Sequence, residues 1–134
     1  MTVGLDTSAV IRLLIGEPAK QSEAIHRFLG QRAAVGDEAA RISDLVVGET
    51  YFVLRHHYQV PHAKAIGAIR ALLADPRLHA TGVAPDVLRR VTAADSAPGL
   101  MDRLIHGDYA TAGATLLTFD KDAARLSRAK LLAD

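Results

Sequence analysis

Residues 2–14, TVGLDTSAVIRLL, decide the fold because they join a strand to a helix through one acidic residue. Residues 2–5 predict a short strand that ends at Asp6. Thr7 and Ser8 offer hydroxyl groups that cap helices, and the apolar run after them predicts a helix from Ala9 to Leu14. The N-terminus is therefore predicted to be a strand followed directly by a helix.

The rest of the chain repeats this order of strands and helices. Strands are predicted at residues 41–43, 78–83, 115–118 and 130–132, and helices at 18–31, 44–58, 62–74, 85–94, 98–113 and, as a short turn, from 121. Strands that are separated by helices form a mostly parallel sheet covered on both faces, so the predicted fold class is α/β. Ligands of such folds bind beyond the carboxyl ends of the strands.

Composition narrows the classes of protein. The 134 residues, 49% of them hydrophobic and 23% charged, fit a single domain with its own core. The absence of cysteine excludes disulfides, thiolate metal sites and a cysteine nucleophile. With no tryptophan, three tyrosines and three phenylalanines, a stacking platform for single-stranded nucleic acid is not expected. The net charge of +1 does not suggest binding to nucleic acid through the overall field.

The N-terminus has none of the features of a signal peptide, because no basic segment precedes an apolar run there. No apolar stretch approaches the roughly 20 residues that span a bilayer. We therefore expect a cytoplasmic protein.

Two aspartates are predicted directly after strands. Asp6 ends the first strand, and Asp120 follows the apolar residues 115–119. If these strands are neighbours in a parallel sheet, both carboxylates lie at the same edge. The alternative is that each aspartate only caps the helix that follows it.

Two further acids are predicted on helix faces. The residues three and four positions from Glu49 in either direction are all apolar, namely Leu45, Val46, Phe52 and Val53. This pattern predicts a buried carboxylate that needs a cation, a shared proton or a structural ion pair as compensation. Asp102 lies in the first turns of the predicted helix 98–113, at the edge of its apolar face, where the helix dipole alone would also favour a carboxylate.

The combination of these four acids carries more information than any one of them. A cluster of carboxylates does not stay fully ionised without counter-charge. Carboxylates alone select hard cations such as Mg²⁺ or Mn²⁺. One or two such ions activate water and stabilise in-line displacement at phosphorus. The sequence therefore predicts a hydrolytic metal site.

Four segments match, in order, the motifs of a known family. They are residues 5–11 (LDTSAVI), 43–49 (SDLVVGE), 101–105 (MDRLI) and 114–122 (ATLLTFDKD). The order of the motifs, the 18-residue step from Asp102 to Asp120 and the Thr-Phe-Asp ending make the set specific. On these residues the chain resembles, over essentially its whole length, the PIN-domain nucleases and more narrowly the VapC-type toxins of type II toxin–antitoxin pairs.

This resemblance implies a PIN-like α/β/α sandwich with a mostly parallel, about five-stranded central sheet, as a single nuclease domain over residues 1–134. It implies an endoribonuclease that hydrolyses RNA phosphodiester bonds with one or two Mg²⁺ or Mn²⁺ ions. Asp6 and Asp102 would be the principal metal ligands. Glu49 and Asp120 would bind a second ion, hold metal-bound water or position the nucleophile.

Other residues near these motifs are candidates for supporting roles. Thr7 and Thr118 are expected to donate hydrogen bonds to the carboxylates that bind the metal. Asp122 is a possible fifth acid, or an exposed aspartate at the start of a helix. Contacts to RNA phosphates are expected from Arg12, Arg55, Arg103 and Lys121, although each is also compatible with an ordinary surface charge.

The resemblance also implies protein partners. One is a small DNA-binding antitoxin whose C-terminal segment would occupy the active-site groove and bring a basic side chain near the acids. The other is a second copy of the chain, packed through apolar helix faces near the N-terminus and the middle of the sequence.

Two alternatives remain open at this point. One is a non-catalytic PIN-like binding module, in which the acids serve structure or protein contacts. The other is an RNA-processing nuclease outside a toxin–antitoxin pair. Residues 103–109, RLIHGDY, depart from the small apolar residues usual in the third motif, and Gly107 is expected to weaken the helix by about 1 kcal/mol relative to alanine.

Overall fold

The structure is a computed structural model that describes residues 1–133. The helices in this range are α1 (Thr7–Ile15), α2 (Ala19–Ala34), α3 (Asp44–His56), α4 (His62–Leu73), α5 (Ala84–Arg90) and α6 (Leu100–Thr111). The strands are β1 (Ala40–Ile42), β2 (Leu78–Ala80), β3 (Leu116–Thr118) and β4 (Ala129–Leu131), with a 3-10 helix at Ala123–Arg125 between β3 and β4. The predicted alternation of strands and helices is confirmed from β1 onwards, whereas residues 2–5, predicted as the first strand, form only an isolated bridge at Gly4.

The strands pair in parallel, in two groups. β1 pairs with β2, and its other edge bridges to Gly4, with the Leu5 amide 2.9 Å from the Arg41 carbonyl. β3 pairs with β4. The chain therefore has the predicted α/β/α fold class with parallel strands. The sheet differs from the expected five-stranded one, because within residues 1–133 the segment before Asp6 pairs with β1, and no ladder joins it to β3.

Side chains set several element boundaries that local patterns do not reveal. β2 ends at Ala80, before the predicted residue 83, because the Asp44 carboxylate accepts hydrogen bonds from the Val83 and Ala84 amides and starts α5 there. α5 ends at Arg90 rather than residue 94, where the Arg70 guanidinium donates to the carbonyls of Leu88 and Val91.

One buried apolar cluster holds the helices against the strands. Its members include Val10, Ile11, Ile42, Val47, Leu54, Ile66, Ile69, Leu78, Leu88, Leu100 and Leu104. These residues come from α1, β1, α3, α4, β2, α5 and α6, so the core fixes the positions of the helices that carry Asp6, Glu49 and Asp102. The transfer of these apolar side chains from water into the core is the main source of stability in a domain of this size.

Two glycines let α6 approach its neighbours closely. A Cβ atom at Gly48 of α3 would collide with the side chain of Met101. A Cβ atom at Gly107 would lie 3.1 Å from Cγ2 of both Val83 and Val87, beside α5. The cost of Gly107 in helix propensity is therefore offset by the contact that it allows between α5 and α6.

None of the helices in residues 1–133 combines the length and the apolar character needed to cross a membrane.

Candidate active site

Asp6 is the N-cap of α1, with an exposed side chain. Its Oδ1 atom accepts hydrogen bonds from the Ala9 amide at 3.0 Å and from Ser8 Oγ at 2.7 Å. These bonds favour the ionised carboxylate and lower the pKa of Asp6 below its ordinary value of 3.8. The cap is thus Asp6 and not the predicted Thr7 or Ser8, and its second oxygen, Oδ2, makes neither of these bonds.

Glu49 is exposed on α3, which corrects the prediction that it is buried. The buried residues of α3 are Val47, Gly48, Thr50 and Leu54, whereas Leu45 is 75% and Phe52 is 60% exposed. Thr7 Oγ1 donates a hydrogen bond to Glu49 Oε1. This contact links the residue after Asp6 to the second predicted acid.

Asp102 lies half-buried in the first turn of α6. Partial burial raises the pKa of its carboxyl group above the ordinary value of 3.8, and the negative charges of Asp120 and Asp122 raise it further. Asp102 therefore lies within the electrostatic influence of the acids that follow β3.

Asp120 follows β3 and caps the turn after it. Its Oδ1 atom accepts hydrogen bonds from the amides of Asp122 at 2.8 Å and Ala123 at 3.2 Å, and its own amide donates to Thr118 Oγ1 at 2.9 Å. Asp122 is exposed beside the 3-10 helix and lies 3.6 Å from the Arg125 guanidinium. Thr118 thus supports the backbone of Asp120 rather than its carboxylate.

A cavity of about 590 Å³ lies between α3 and the start of α6. Glu49 and Asp102 lie on its wall, together with the apolar side chains of Leu45, Phe52 and Met101. The sequence patterns assigned Leu45 and Phe52 to the core, so this apolar wall beside the acids was missed. The sequence signal for this apolar wall was the set of apolar residues one turn before and after Glu49 on its helix.

Thr7 connects the end of α1 that carries Asp6 to Glu49, and Glu49 and Asp102 share a cavity, but the four acids do not form a compact ligand shell. Within residues 1–133 no three acidic, histidine or cysteine side chains lie close enough together to hold a metal ion. None of Asp6, Glu49, Asp102 and Asp120 forms an ion pair in this range.

The donor set nevertheless fits a hard divalent cation. All four side chains are carboxylates, and none of the four forms an ion pair within residues 1–133. Mg²⁺ usually keeps several waters and binds proteins through one or two carboxylates, so a preformed shell of three ligands is not required.

The four side chains that were predicted to contact RNA phosphates differ in whether they form hydrogen bonds within the protein. Arg12 donates to Gln21 Oε1 at 2.6 Å, Arg55 to the Val60 carbonyl at 3.3 Å, and Arg103 to the Pro98 carbonyl at 2.9 Å and to Asp95 at 3.2 Å. Lys121 is exposed directly after Asp120. Among these four side chains, Lys121 is therefore the best placed to meet a phosphate.

Comparison with known proteins gives one match. A family model described as PIN domain matches residues 3–129, which include all four predicted acids. No curated protein and no solved structure matches the chain.

Proposed function

Because this chain belongs to the PIN domain family, whose members are generally metal-dependent nucleases that act on RNA, we propose that it is an endoribonuclease that hydrolyses RNA phosphodiester bonds with Mg²⁺ or Mn²⁺. The proposal treats residues 1–134 as a single nuclease domain that acts in the cytoplasm, where its RNA substrate would be found.

The observation that carries the proposal is the cavity that Glu49 and Asp102 share between α3 and the start of α6. Within residues 1–133 neither carboxylate forms an ion pair, and burial, followed by the negative charges of Asp120 and Asp122, raises the pKa of Asp102. A bound divalent cation would remove this repulsion.

Each acid has a role that follows from its contacts. Asp6, kept ionised by the Ala9 amide and Ser8, would be a metal ligand through Oδ2, and Asp102 would be the second principal ligand. Glu49, oriented by Thr7, and Asp120, oriented by two backbone amides, would hold a second ion or its waters and position the attacking water. A cation bound by these residues would activate water and stabilise charge on the leaving oxygen.

RNA cleavage by the purified chain tests this proposal. We expect hydrolysis with Mg²⁺ or Mn²⁺ and none after chelation, and we expect Asp6→Asn and Asp102→Asn each to lower the rate by more than about 100-fold, because removing a ligand should cost more than removing a group behind it. Asp108→Asn is a matched control, since it removes an exposed acid from the same helix as Asp102.

Two results would contradict the proposal. One is unchanged cleavage in Asp6→Asn and Asp102→Asn. The other is no binding of Mn²⁺ in isothermal titration, which would favour a non-catalytic binding module.

We further propose that the protein is the toxin of a toxin–antitoxin pair, and that the antitoxin inserts an amphipathic segment between α3 and α6. Support comes from the cavity there, which joins exposed apolar side chains to two acids (Leu45, Phe52, Met101, Glu49 and Asp102). Apolar residues of the segment would cover the wall, and one basic side chain would neutralise the acids.

Substitution on this wall tests the partner. Leu45→Glu is expected to weaken a complex with the product of an adjacent small gene, as measured by co-purification and titration. Val35→Glu is the matched control, because Val35 at the end of α2 is 74% exposed, nearly the same as Leu45 at 75%. Equal affinity in the two variants would argue against this groove, and failure to recover any such partner would favour an RNA-processing nuclease.

We also propose a homodimer that packs through apolar helix residues near the N-terminus and the middle of the chain. Support comes from Phe28 of α2 and Tyr58 after α3, which are 38% and 36% exposed. Sedimentation equilibrium measures this association, and a monomer at high concentration would contradict it.

A further inference from the structure

A second cavity, of about 370 Å³, lies between α5, α6 and residues 126–127. Its apolar surface comes from Val83, Val87, Ala110 and Leu126, and polar side chains including Arg90 and His106 line it as well. Small-molecule sites in proteins have this character, an apolar surface with a few placed polar groups, and this volume is within their range of roughly 300–1,000 Å³.

Arg90 supplies the uncompensated charge of this cavity. Two other charged residues line it, but each has a partner within the protein: Asp86 pairs with Arg89, and Arg103 pairs with Asp95 at 3.2 Å. Arg90 is exposed and forms no ion pair within residues 1–133. The cavity therefore favours an anionic ligand that also carries an apolar body.

The position of the cavity relates it to the candidate active site. His106 lies one helical turn after Asp102 on α6, about 6 Å further along the helix axis. His106 Nε2 contacts the Ser127 carbonyl, which requires a proton on Nε2 and holds the ring at the edge of the cavity. Because His106 lines the cavity, the cavity begins one helical turn from Asp102 along α6.

We propose that this cavity binds one nucleotide of the RNA substrate, with the base against Val83, Val87 and Leu126 and the phosphate at Arg90. The inference rests on the proposed function for its choice of RNA, and it adds a subsite that is separate from the acids. The contact with the base is apolar and the contact with the phosphate is a charge-assisted hydrogen bond, so both halves of the ligand are needed for full affinity.

Titration of small ligands tests the subsite without the catalytic reaction. The probes are nucleoside 5′-monophosphates, the matching nucleosides and inorganic phosphate, added to ¹⁵N-labelled protein in the presence of a chelator. We expect the monophosphates to shift the amide signals of Gly107, Thr111 and Ser127, and to bind about tenfold more tightly than the nucleosides or phosphate alone.

Two variants and one control locate the site. Arg90→Gln is expected to weaken nucleotide binding by about tenfold, the size expected for one charge-assisted hydrogen bond. Ala110→Leu, which fills the cavity while keeping a strong helix former, is expected to abolish binding. Arg27→Gln is the control, because it removes the same charge from an exposed position on α2, outside the cavity.

Three results would overturn the inference: no shift of these amides, inorganic phosphate binding as tightly as the nucleotides, or equal losses in Arg90→Gln and Arg27→Gln. Failure of the proposed function would look different. Nucleotide binding without RNA cleavage would contradict only the nuclease proposal, whereas cleavage without nucleotide binding would contradict only the subsite.

Discussion

Thr7 donates a hydrogen bond through Oγ1 to Oε1 of Glu49, and this bond joins the first turn of α1 to the middle of α3. Glu49 is exposed, and an exposed glutamate otherwise samples several rotamers. The bond therefore fixes the carboxylate beside the residue that follows Asp6.

Thr7→Val tests whether this orientation matters. The substitution keeps the shape of the side chain and removes the donor, so we expect metal affinity and RNA cleavage to fall by about 10–100-fold, the usual effect of losing a group that orients a ligand. Thr7→Ser, which retains the hydroxyl, should recover most of the activity. A Thr7→Val variant that cleaves RNA at the native rate would show that the bond has no role in the site.

Asp102→Asn is expected to stabilise the metal-free protein. Because burial and the charges of Asp120 and Asp122 raise the pKa of Asp102, the folded state disfavours its ionised form. The penalty is present above the raised pKa and disappears as the pH falls through it, so the gain in melting temperature should be seen at neutral pH and shrink in acid. Asp108→Asn, an exposed acid on the same helix, should give no such gain.

The same pair of variants separates stability from metal binding. Mn²⁺ should raise the melting temperature of the native chain, because an ion that binds only the folded state stabilises it by mass action. The rise should be smaller in Asp102→Asn. An equal rise in both proteins would remove Asp102 from the ligand set.

Asp75, in the turn between α4 and β2, affects stability with a pH dependence opposite to that of Asp102. Asp75 accepts hydrogen bonds from the Arg77 guanidinium, with Oδ2 at 2.7 Å from Nη2, and from the Arg77 amide at 2.9 Å, which lowers the pKa of Asp75 below 3.8. Its ionised form therefore stabilises the fold above the unfolded pKa, and this contribution is lost as the pH falls through the lowered pKa.

Asp75→Asn should cost about 1 kcal/mol of unfolding free energy at neutral pH, as expected for a partly exposed ion pair of good geometry. The difference from the native chain should shrink in urea denaturation as the pH falls through the lowered pKa of Asp75. A difference that is independent of pH would assign the loss to the turn and not to the charge.

The buried hydroxyl group of Thr50 lowers the free energy of unfolding, and a substitution can remove this effect. The side chain is fully buried in α3, and its Oγ1 atom has no hydrogen-bond partner within residues 1–133. Thr50→Val replaces the hydroxyl with a methyl group of similar size, so we expect a gain of about 1 kcal/mol in chemical denaturation. Thr50→Ser, which keeps the hydroxyl and removes the methyl group, should instead destabilise the chain.

The order of the elements and the two strand-end aspartates could be predicted from sequence, because both depend on neighbours in the chain. Apolar periodicity, helix-start residues and prolines lie within one or two turns of what they specify. Asp6 and Asp120 lie where predicted, each directly after an extended segment and each accepting a backbone amide. Their capping role and their position at a candidate site are both compatible with these contacts.

The face of α3 that packs into the core could not be predicted from neighbours in the chain. Glu49 has apolar neighbours one turn away in both directions, such as Leu45 and Phe52, yet this stripe is exposed, and the buried stripe of α3 includes Gly48 and Thr50. Gly48 lacks a Cβ atom, and this allows contact with Met101 of α6 that a larger residue would block.

The sequence by itself determined which residue types are present, the order of strands and helices, and the succession of four acids along the chain. Only the tertiary structure decided which helix faces reach solvent, that Glu49 shares a cavity with Asp102, and that α5 and α6 enclose a second cavity beside Arg90. The reason is that local propensity acts along the chain, whereas burial depends on which distant surfaces fit together.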